Sequence, residues 1–309
     1  MLSHHALPVR GYGGTQRVVA ALVQGLVELG HRVTVLAPPD TRLPGATCIP
    51  VPRDILLGPV ATLISQLPPD VEIVHAHYPI QHPPNDLPFV QTLHGNLRAG
   101  DSAPPNTVFL SLDHARRHGG TSFVYNGLDP TGFTFQPQKA DYDLFLGRLH
   151  GAKGYRWAIE GAKRTGRRLL IAGGWRPSFR RRIRFLGEVD GARKRELLAG
   201  ARCLWMPAMW DEPFGLTLIE ALLSGTPVLG THRGALPEIV TPEVGALHDT
   251  LDALIEASRT IQTRSSEACR AHATRYFTHL TMAEEYVRIY RHLIDSGALP
   301  PGRPTPYTT

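Results

Sequence analysis

The sequence predicts an α/β chain of two doubly wound parallel-sheet domains facing a cleft. Three observations carry that prediction. The 309 residues suffice for two domains at roughly 150 residues each. Short apolar strands alternate with amphipathic helices, the pattern of a parallel sheet with helical crossovers. The alternation pauses once, at 126–139, where Gly, Pro, Gln and Thr accumulate, and then restarts.

In chain order, residues 18–29 (VVAALVQGLVEL) have helical apolar spacing and stop before Gly30, a helix-ending residue, ahead of the strand 32–37 (RVTVLA). Strands are expected at 71–75, 89–93 and 108–112, separated by Pro- and Asn-rich turns. After the linker come strands at 144–146, 169–172, 184–186, 203–206, 227–230 and 245–247, with helices at 157–164, 192–200, 216–223 and 251–257 between them. The expected domains are 1–136 and 137–281, followed by a helix at 282–299 crossing the domain junction and a frayed tail at 300–309. A doubly wound half normally begins with its central strand, yet only Met1, Leu2 and Ser3 precede the 4–14 loop. Either the numbered chain starts inside that strand or the strand is very short.

Composition excludes several classes. With 42% hydrophobic and 19% charged residues the chain is not disordered, and no apolar run reaches the ~20 residues of a membrane span. Residues 1–10 lack signal-peptide order, so a cytoplasmic protein is expected. Cys48, Cys203 and Cys269 have neither CxxC nor zinc-site spacing and read as reduced, buried thiols. The net charge of +6 comes entirely from residues 141–309, and 163–202 alone holds 13 basic and 3 acidic residues. That run reads as a solvated Arg-rich helix face. An anionic ligand or acidic membrane surface would also fit it, but the sequence does not support membrane association further. Without interleaved aromatics it does not suit nucleic acid.

Five stretches carry candidate chemistry. Gly11-Tyr12-Gly13-Gly14 precedes a helix, so amides at Gly13 and Gly14 can face an anion or a sugar hydroxyl, or simply form a tight turn. Gly147-Arg148-Leu149-His150-Gly151-Ala152-Lys153-Gly154 follows a strand and brings Arg148 and Lys153 to one loop, as phosphate binding or as surface charge. Glu212-Pro213-Phe214-Gly215-Leu216-Thr217-Leu218-Ile219-Glu220 places two carboxylates roughly 12 Å apart along a helix. Glycosidase pairs work at about 5 to 9.5 Å, so these suit the two ends of one elongated ligand, such as a nucleotide sugar. The alternative is a carboxylate complementing the helix N-terminus and a buried, paired Glu220. His75-Ala76-His77-Tyr78 and Thr92-Leu93-His94 end predicted strands. No third ligand accompanies His75 and His77, so no metal is expected, and hydrogen bonding to a sugar or acceptor is the better reading of His75, His77, Tyr78 and His94. Asp141-Tyr142-Asp143 precedes its strand and is discounted as a metal motif.

Taken together, these segments resemble glycosyltransferase family 4, retaining enzymes of the GT-B fold with two Rossmann-like domains. The resemblance runs through Gly13-Gly14, Gly30-His31-Arg32-Val33, Val74-His75-Ala76-His77, Thr92-Leu93-His94-Gly95, Tyr125-Asn126-Gly127-Leu128-Asp129, Gly147-Arg148 with Lys153-Gly154, the E-x7-E pair Glu212 and Glu220, Ser224-Gly225-Thr226-Pro227-Val228 and Pro237-Glu238-Ile239-Val240. GYGG-x-Q-x-VVA also resembles bacterial natural-product sugar transferases.

The resemblance implies a hexosyltransferase that moves a sugar from a nucleoside-diphosphate sugar, with a UDP-sugar expected, to a hydroxyl of a small-molecule, glycan or lipid acceptor, without metal or other cofactor. The first domain would face the acceptor and the second would bind the donor. Arg148 and Lys153 would neutralise the diphosphate, Glu220 would bind ribose, and Glu212 with the backbone of Phe214, Gly215, Leu216 and Thr217 would hold the sugar and β-phosphate. His94 would touch the same sugar, Gly14 would approach the diphosphate, and backbone around Gly187 and Val189 would read the base. A nucleotide-sugar 2-epimerase and a non-catalytic nucleotide-sugar binder are the competing readings. The loops 38–52 and 81–88 are expected to set the acceptor.

Overall fold

The computed structural model describes residues 1–309 except 10, 12, 81, 85 and 309, so Tyr12 of the glycine loop and Gln81 and Asn85 of the expected acceptor loop lie outside the described residues. The chain forms two compact units, Met1–Gly127 with His279–Pro304, and Leu128–Thr278 with Thr305–Thr309.

In the first unit the helices are α1 (Gly14–Glu28), α2 (Arg53–Leu56), α3 (Val60–Ile64) and α4 (Leu112–Arg117), and the strands are β1 (Thr34–Ala37), β2 (Thr47–Pro50), β3 (Val74–Ala76), β4 (Phe89–Thr92) and β5 (Thr107–Val108). β1 pairs with β2, and β3, β4 and β5 pair in that order, all in parallel. Leu2 joins the two groups by bridging Leu36 of β1 and Ala76 of β3. Its amide donates to the His75 carbonyl at 2.8 Å, its carbonyl accepts from His77 at 3.0 Å, and Ser3 donates to Leu36 at 3.1 Å. Residues 1–3 therefore occupy the central strand's position in a very short form. Leu2, Leu36, Val74, Ala76 and Phe89 form the core beneath it.

The second unit carries β6 (Asp143–Leu146), α5 (Tyr155–Thr165), β7 (Leu169–Ala172), β8 (Ile183–Phe185), α6 (Gly191–Gly200), β9 (Leu204–Met206), α7 (Leu216–Leu223), β10 (Val228–Gly230), α8 (Leu236–Ile239), β11 (Gly245–Leu247), α9 (Leu251–Thr260) and α10 (Ser266–Tyr276). Its parallel sheet has the order β11-β10-β9-β6-β7-β8, so the chain reverses its direction of travel between β6 and β9. Phe145, Leu169, Ile171, Trp205 and Leu229 bury one sheet face against Tyr155, Ala158, Leu254 and Ile255 of α5 and α9. Gly161 is required there, because a Cβ would stand 2.6 Å from the Trp205 ring.

Asp143 is buried at the start of β6, where Arg202 grips it in a fork at 2.7 and 2.9 Å and the Trp205 indole N–H donates at 3.0 Å. The side chain that looked superficially like half of a metal motif is thus a structural anchor. Cys203 and Cys269 are buried free thiols, and Cys48 is a half-buried one.

The Arg-rich run is helical only at its two ends, in α5 and α6, and not across its middle. Residues 173–182 are irregular and lead into β8, because Gly173, Gly174 and Pro177 interrupt any helix. The last helix, α11 (His279–Ser296), belongs to the first unit and packs on α1, where Gly25 leaves room for the His279 carbonyl. The tail is not frayed. Gly302 donates to Thr121 at 2.9 Å, Ser122 donates to the Pro300 carbonyl, and in the second unit the Tyr307 hydroxyl meets His272 at 3.1 Å.

Candidate active site

In the second unit, the loops after β6 and β9 meet at the reversal point, where doubly wound sheets bind ligands beyond the carboxyl ends of their strands. Residues Gly151–Lys153 form a 3-10 turn after β6, and Gly154 ends it with φ +72°. A Cβ on Gly154 would lie 1.7 Å from the Pro207 carbonyl oxygen, so only glycine permits this approach of the two loops. Met209 donates to the Ala152 carbonyl at 2.8 Å and ties them together.

That closeness brings Lys153 and Glu212 into contact. The ammonium lies 2.6 Å from Glu212 Oε2, with both side chains largely buried. Trp210 donates its indole N–H to the same oxygen at 2.9 Å, and Lys153 Nζ stands 4.7 Å from the centre of its ring. Sequence reasoning missed Trp210. The available signal was an aromatic donor two residues before a candidate carboxylate. Gly234, at φ +60°, backs the arrangement, because its Cβ would collide with the Glu212 backbone at 2.3 Å. Ala235 donates to the Glu212 carbonyl at 2.9 Å.

Three residues later Gly215 adopts the left-handed conformation and starts α7. No side chain caps this helix, and its first turn holds no acidic residue. The amides of Leu216 and Thr217 stand at its positive end, where helix geometry supplies no internal acceptor. Phe214 is buried in edge contact with Phe277, and the Thr217 hydroxyl lies 3.2 Å from Met206 Sδ. Arg148 is exposed and makes no side-chain hydrogen bond or ion pair with another described residue.

Glu220 is fully buried, and its Oε1 accepts from Lys194 of α6 at 2.8 Å. Lys194 is a second residue that sequence reasoning missed, since nothing in a run of exposed basic residues distinguishes the one that turns inward. Gly187 follows β8 at φ +75° and accepts from Gly173 at 2.8 Å, and Val189 follows it half-buried. The described second unit therefore brings Lys153, Glu212 and the α7 N-terminus together, with Glu220 a little over one turn into α7 and Glu212 in the loop before it, not on the helix as the spacing suggests.

In the first unit Gly13 caps α1 and Gly14 opens it. A Cβ on Gly13 would meet Gln16 at 2.5 Å, whereas one on Gly14 would meet nothing. His77 Nδ1 and His94 Nε2 are 3.1 Å apart, while His77 Nε2 is buried without a hydrogen-bond partner among the described residues. Burial holds His77 well below the usual imidazole range and lowers His94 to about 4, so both stay neutral at pH 7. His75 stands apart in role. Its two nitrogens meet Tyr290 at 2.6 Å and Thr92 at 2.7 Å, and Thr92 in turn meets Tyr286 at 2.7 Å. Tyr78 donates to the Leu56 carbonyl at 2.6 Å inside the core. His75 and Tyr78 are committed to buried neighbours, leaving His77 and His94 as the paired imidazoles. Among the described residues no group of three or more His, Cys, Asp or Glu is placed to hold a metal ion.

Residues 12–129 match the family described as Glycosyltransferase Family 4, and residues 141–263 match Glycosyl transferases group 1. The fold is similar to that of AviGT4, a glycosyltransferase involved in avilamycin A biosynthesis, at a TM-score of 0.79 and 32% identity, over 94% of this chain and 93% of that one. Anabaena HepE, solved with UDP and glucose, is similar at a TM-score of 0.65 and 17% identity, over 93% and 97% of the two chains. The phosphatidyl-myo-inositol mannosyltransferase of Mycobacterium leprae is 28% identical over 93% of this chain and 95% of its own.

Proposed function

The chain belongs to glycosyltransferase family 4, with the GT-B fold, and from that membership and its site we propose how its residues divide the reaction. It is a retaining hexosyltransferase that uses a nucleoside-diphosphate sugar. In our reading the donor is a UDP-sugar and its diphosphate lies against Lys153, Arg148 and the amides of Leu216 and Thr217. As the anomeric carbon becomes oxocarbenium-like, negative charge grows on the departing phosphate. Fixed cations and a helix N-terminus stabilise that charge, with no need of a metal ion. The acceptor hydroxyl attacks from the side the leaving group vacates and passes its proton to the departing phosphate, so configuration is retained.

Glu212 takes the hydroxyls of the transferred sugar, Glu220 the ribose, and backbone at Gly187 and Val189 the base. In the first unit, neutral His94, held by His77, hydrogen-bonds a sugar hydroxyl, and the backbone at Gly13 and Gly14 suits a phosphate. One observation carries this reading: the 2.6 Å contact of Lys153 with Glu212 at the sheet's reversal point. It joins a phosphate-binding cation to a hydroxyl-binding carboxylate, the two neighbours a sugar phosphate requires.

The acceptor is proposed to be a hydroxyl on a small molecule, glycan or lipid. Avilamycin A biosynthesis in one relative and a phosphatidyl-inositol in another span that range. No helix among the described residues is long and apolar enough to cross a membrane. The test is a panel of UDP-, GDP-, ADP- and dTDP-sugars incubated with such acceptors, with the anomeric configuration of each product read by NMR. Products retaining the donor's configuration support the proposal. Inverted products, or epimerised donor formed without acceptor, refute it.

A further inference from the structure

The stretch between β7 and β8 has no part in the reaction just described, yet it is the most unusual surface of the second unit. Phe179 is 102% exposed and Trp175 69% exposed, in a chain whose other large aromatics are mostly buried. Arginines stand at 176, 180, 181, 182 and 184, and residues 173–187 contain no acidic side chain. Arg176 lies over the Tyr155 ring at 5.3 Å, and Arg182 donates to the Gly166 carbonyl. These contacts, with Gly173 donating to Gly187 at 2.8 Å, pin the base of the loop. Arg180, Arg181 and Arg184 are exposed and make no side-chain ion pair or hydrogen bond with another described residue.

We infer that this loop docks the enzyme on an anionic lipid surface, with Phe179 and Trp175 entering the headgroup and acyl boundary and the free arginines pairing with lipid phosphates. The residue types select this partner. A phenyl ring has no polar group to satisfy and gains by leaving water for hydrocarbon, an indole suits the interface, and guanidinium groups match anionic headgroups. A small soluble anion would use the arginines but leave Phe179 in water. Trp175 and Phe179 do interleave with the arginines, contrary to the sequence reading, but a single-stranded nucleic acid would need rings set to stack successive bases, and neither of these pairs with another ring among the described residues. The loop leaves β7 at its carboxyl end, on the same edge of the sheet as the loop bearing Lys153. Docking there would bring that edge to the surface from which a lipid-borne acceptor is presented.

The experiment is co-sedimentation of the full chain with sucrose-loaded phosphatidylcholine vesicles, with and without about 30 mol% phosphatidylglycerol. Binding is expected only with the anionic lipid and should weaken as salt rises. Arg180→Ser and Arg181→Ser should each weaken it about fivefold, and Phe179→Ser by at least about tenfold. Trp fluorescence should shift to the blue on binding, and the shift should vanish in Trp175→Phe. An unchanged melting temperature in each exposed-site variant keeps the loss attributable to docking. The inference is overturned if the chain does not sediment with anionic vesicles, if it binds neutral ones equally well, or if Phe179→Ser binds like the parent. It is equally overturned if these variants abolish only oligonucleotide binding or self-association.

Discussion

Lys153, Glu212 and Trp210 form one small unit in which a single carboxylate oxygen accepts from an ammonium and an indole at once. Removing Lys153 should cost more than removing a surface lysine, because it strips a cation from the proposed phosphate and leaves a buried carboxylate less well paired. We expect Lys153→Ala to lower kcat by about 10²-fold or more, on the scale of losing a preorganised donor to developing charge. Trp210→Phe keeps a ring beside the ammonium but deletes the N–H. It should lower kcat/KM by about tenfold, the scale of one hydrogen bond to a charged group. Trp210→Leu, which also removes the cation–π contact, should cost more, and steady-state kinetics on the three variants would order them.

The imidazoles make a separate prediction. Burial lowers His94 and His4 to about 4 and His114 to about 3, while each returns to the ordinary range near 6.5 when the chain unfolds. Between those values the unfolded chain binds more protons, so stability is complete above about pH 7 and falls as the pH drops from 6.5 toward 4. A melting temperature equal at pH 7 and pH 5 would contradict this. Lys153 and Glu212 could be singled out because Lys153 adjoins Gly154 in a loop after a strand and Glu212 lies three residues before Gly215 at a helix start. Trp210 and Lys194 were not, since their roles depend on which way a turn or helix face points. His75 was expected at a strand end but is the middle residue of β3, with Tyr78 two residues beyond that strand, and their closure by Tyr290 and Leu56, far away in sequence, was not legible.

At the scale of elements, the strand–helix alternation of the second unit was readable because β7, β9 and β10 are apolar runs buried on both faces, although β8 carries the exposed Arg184. β2 escaped notice as a short run ending in Pro50, and α10 because SEACRAHATRY has a weak apolar stripe. Residues predicted as the end of a strand at 108–112 turn instead into α4, where the Ser111 side chain accepts from the His114 amide and caps the helix. The central position of residues 1–3 follows from hydrogen bonds to β1 and β3, which no local pattern encodes.

Two substitutions test whether the elements are held as described. Gly154→Ala forces a Cβ onto the Pro207 carbonyl and a left-handed φ onto alanine. It should lose at least about 2 kcal/mol in denaturant unfolding and separate the β6 and β9 loops. Arg202→Leu leaves Asp143 buried without its guanidinium, and should lose about 3–5 kcal/mol. Wild-type stability in either variant would mean that the contact is not maintained in solution.

For the whole molecule, the chain leaves its first unit after Gly127 and re-enters it at His279, so the C-terminal helix completes the fold that the N-terminal residues begin. The family could be read from motifs spread over both halves, because many of them lie in the loops at strand ends and helix starts. Acceptor identity could not, since side chains of irregular loops would set it. Charge follows the same division, with the +6 excess lying in the half that carries the proposed diphosphate contacts. The decisive experiment is calorimetric titration of UDP, GDP, ADP and dTDP into the wild-type chain, Lys153→Ala and Arg148→Ala. At least one nucleoside diphosphate should bind the wild type and bind each variant at least about tenfold more weakly, with affinity falling as salt rises. Failure of all four to bind, or equal affinity in wild type and both variants, would contradict a diphosphate held by these two cations.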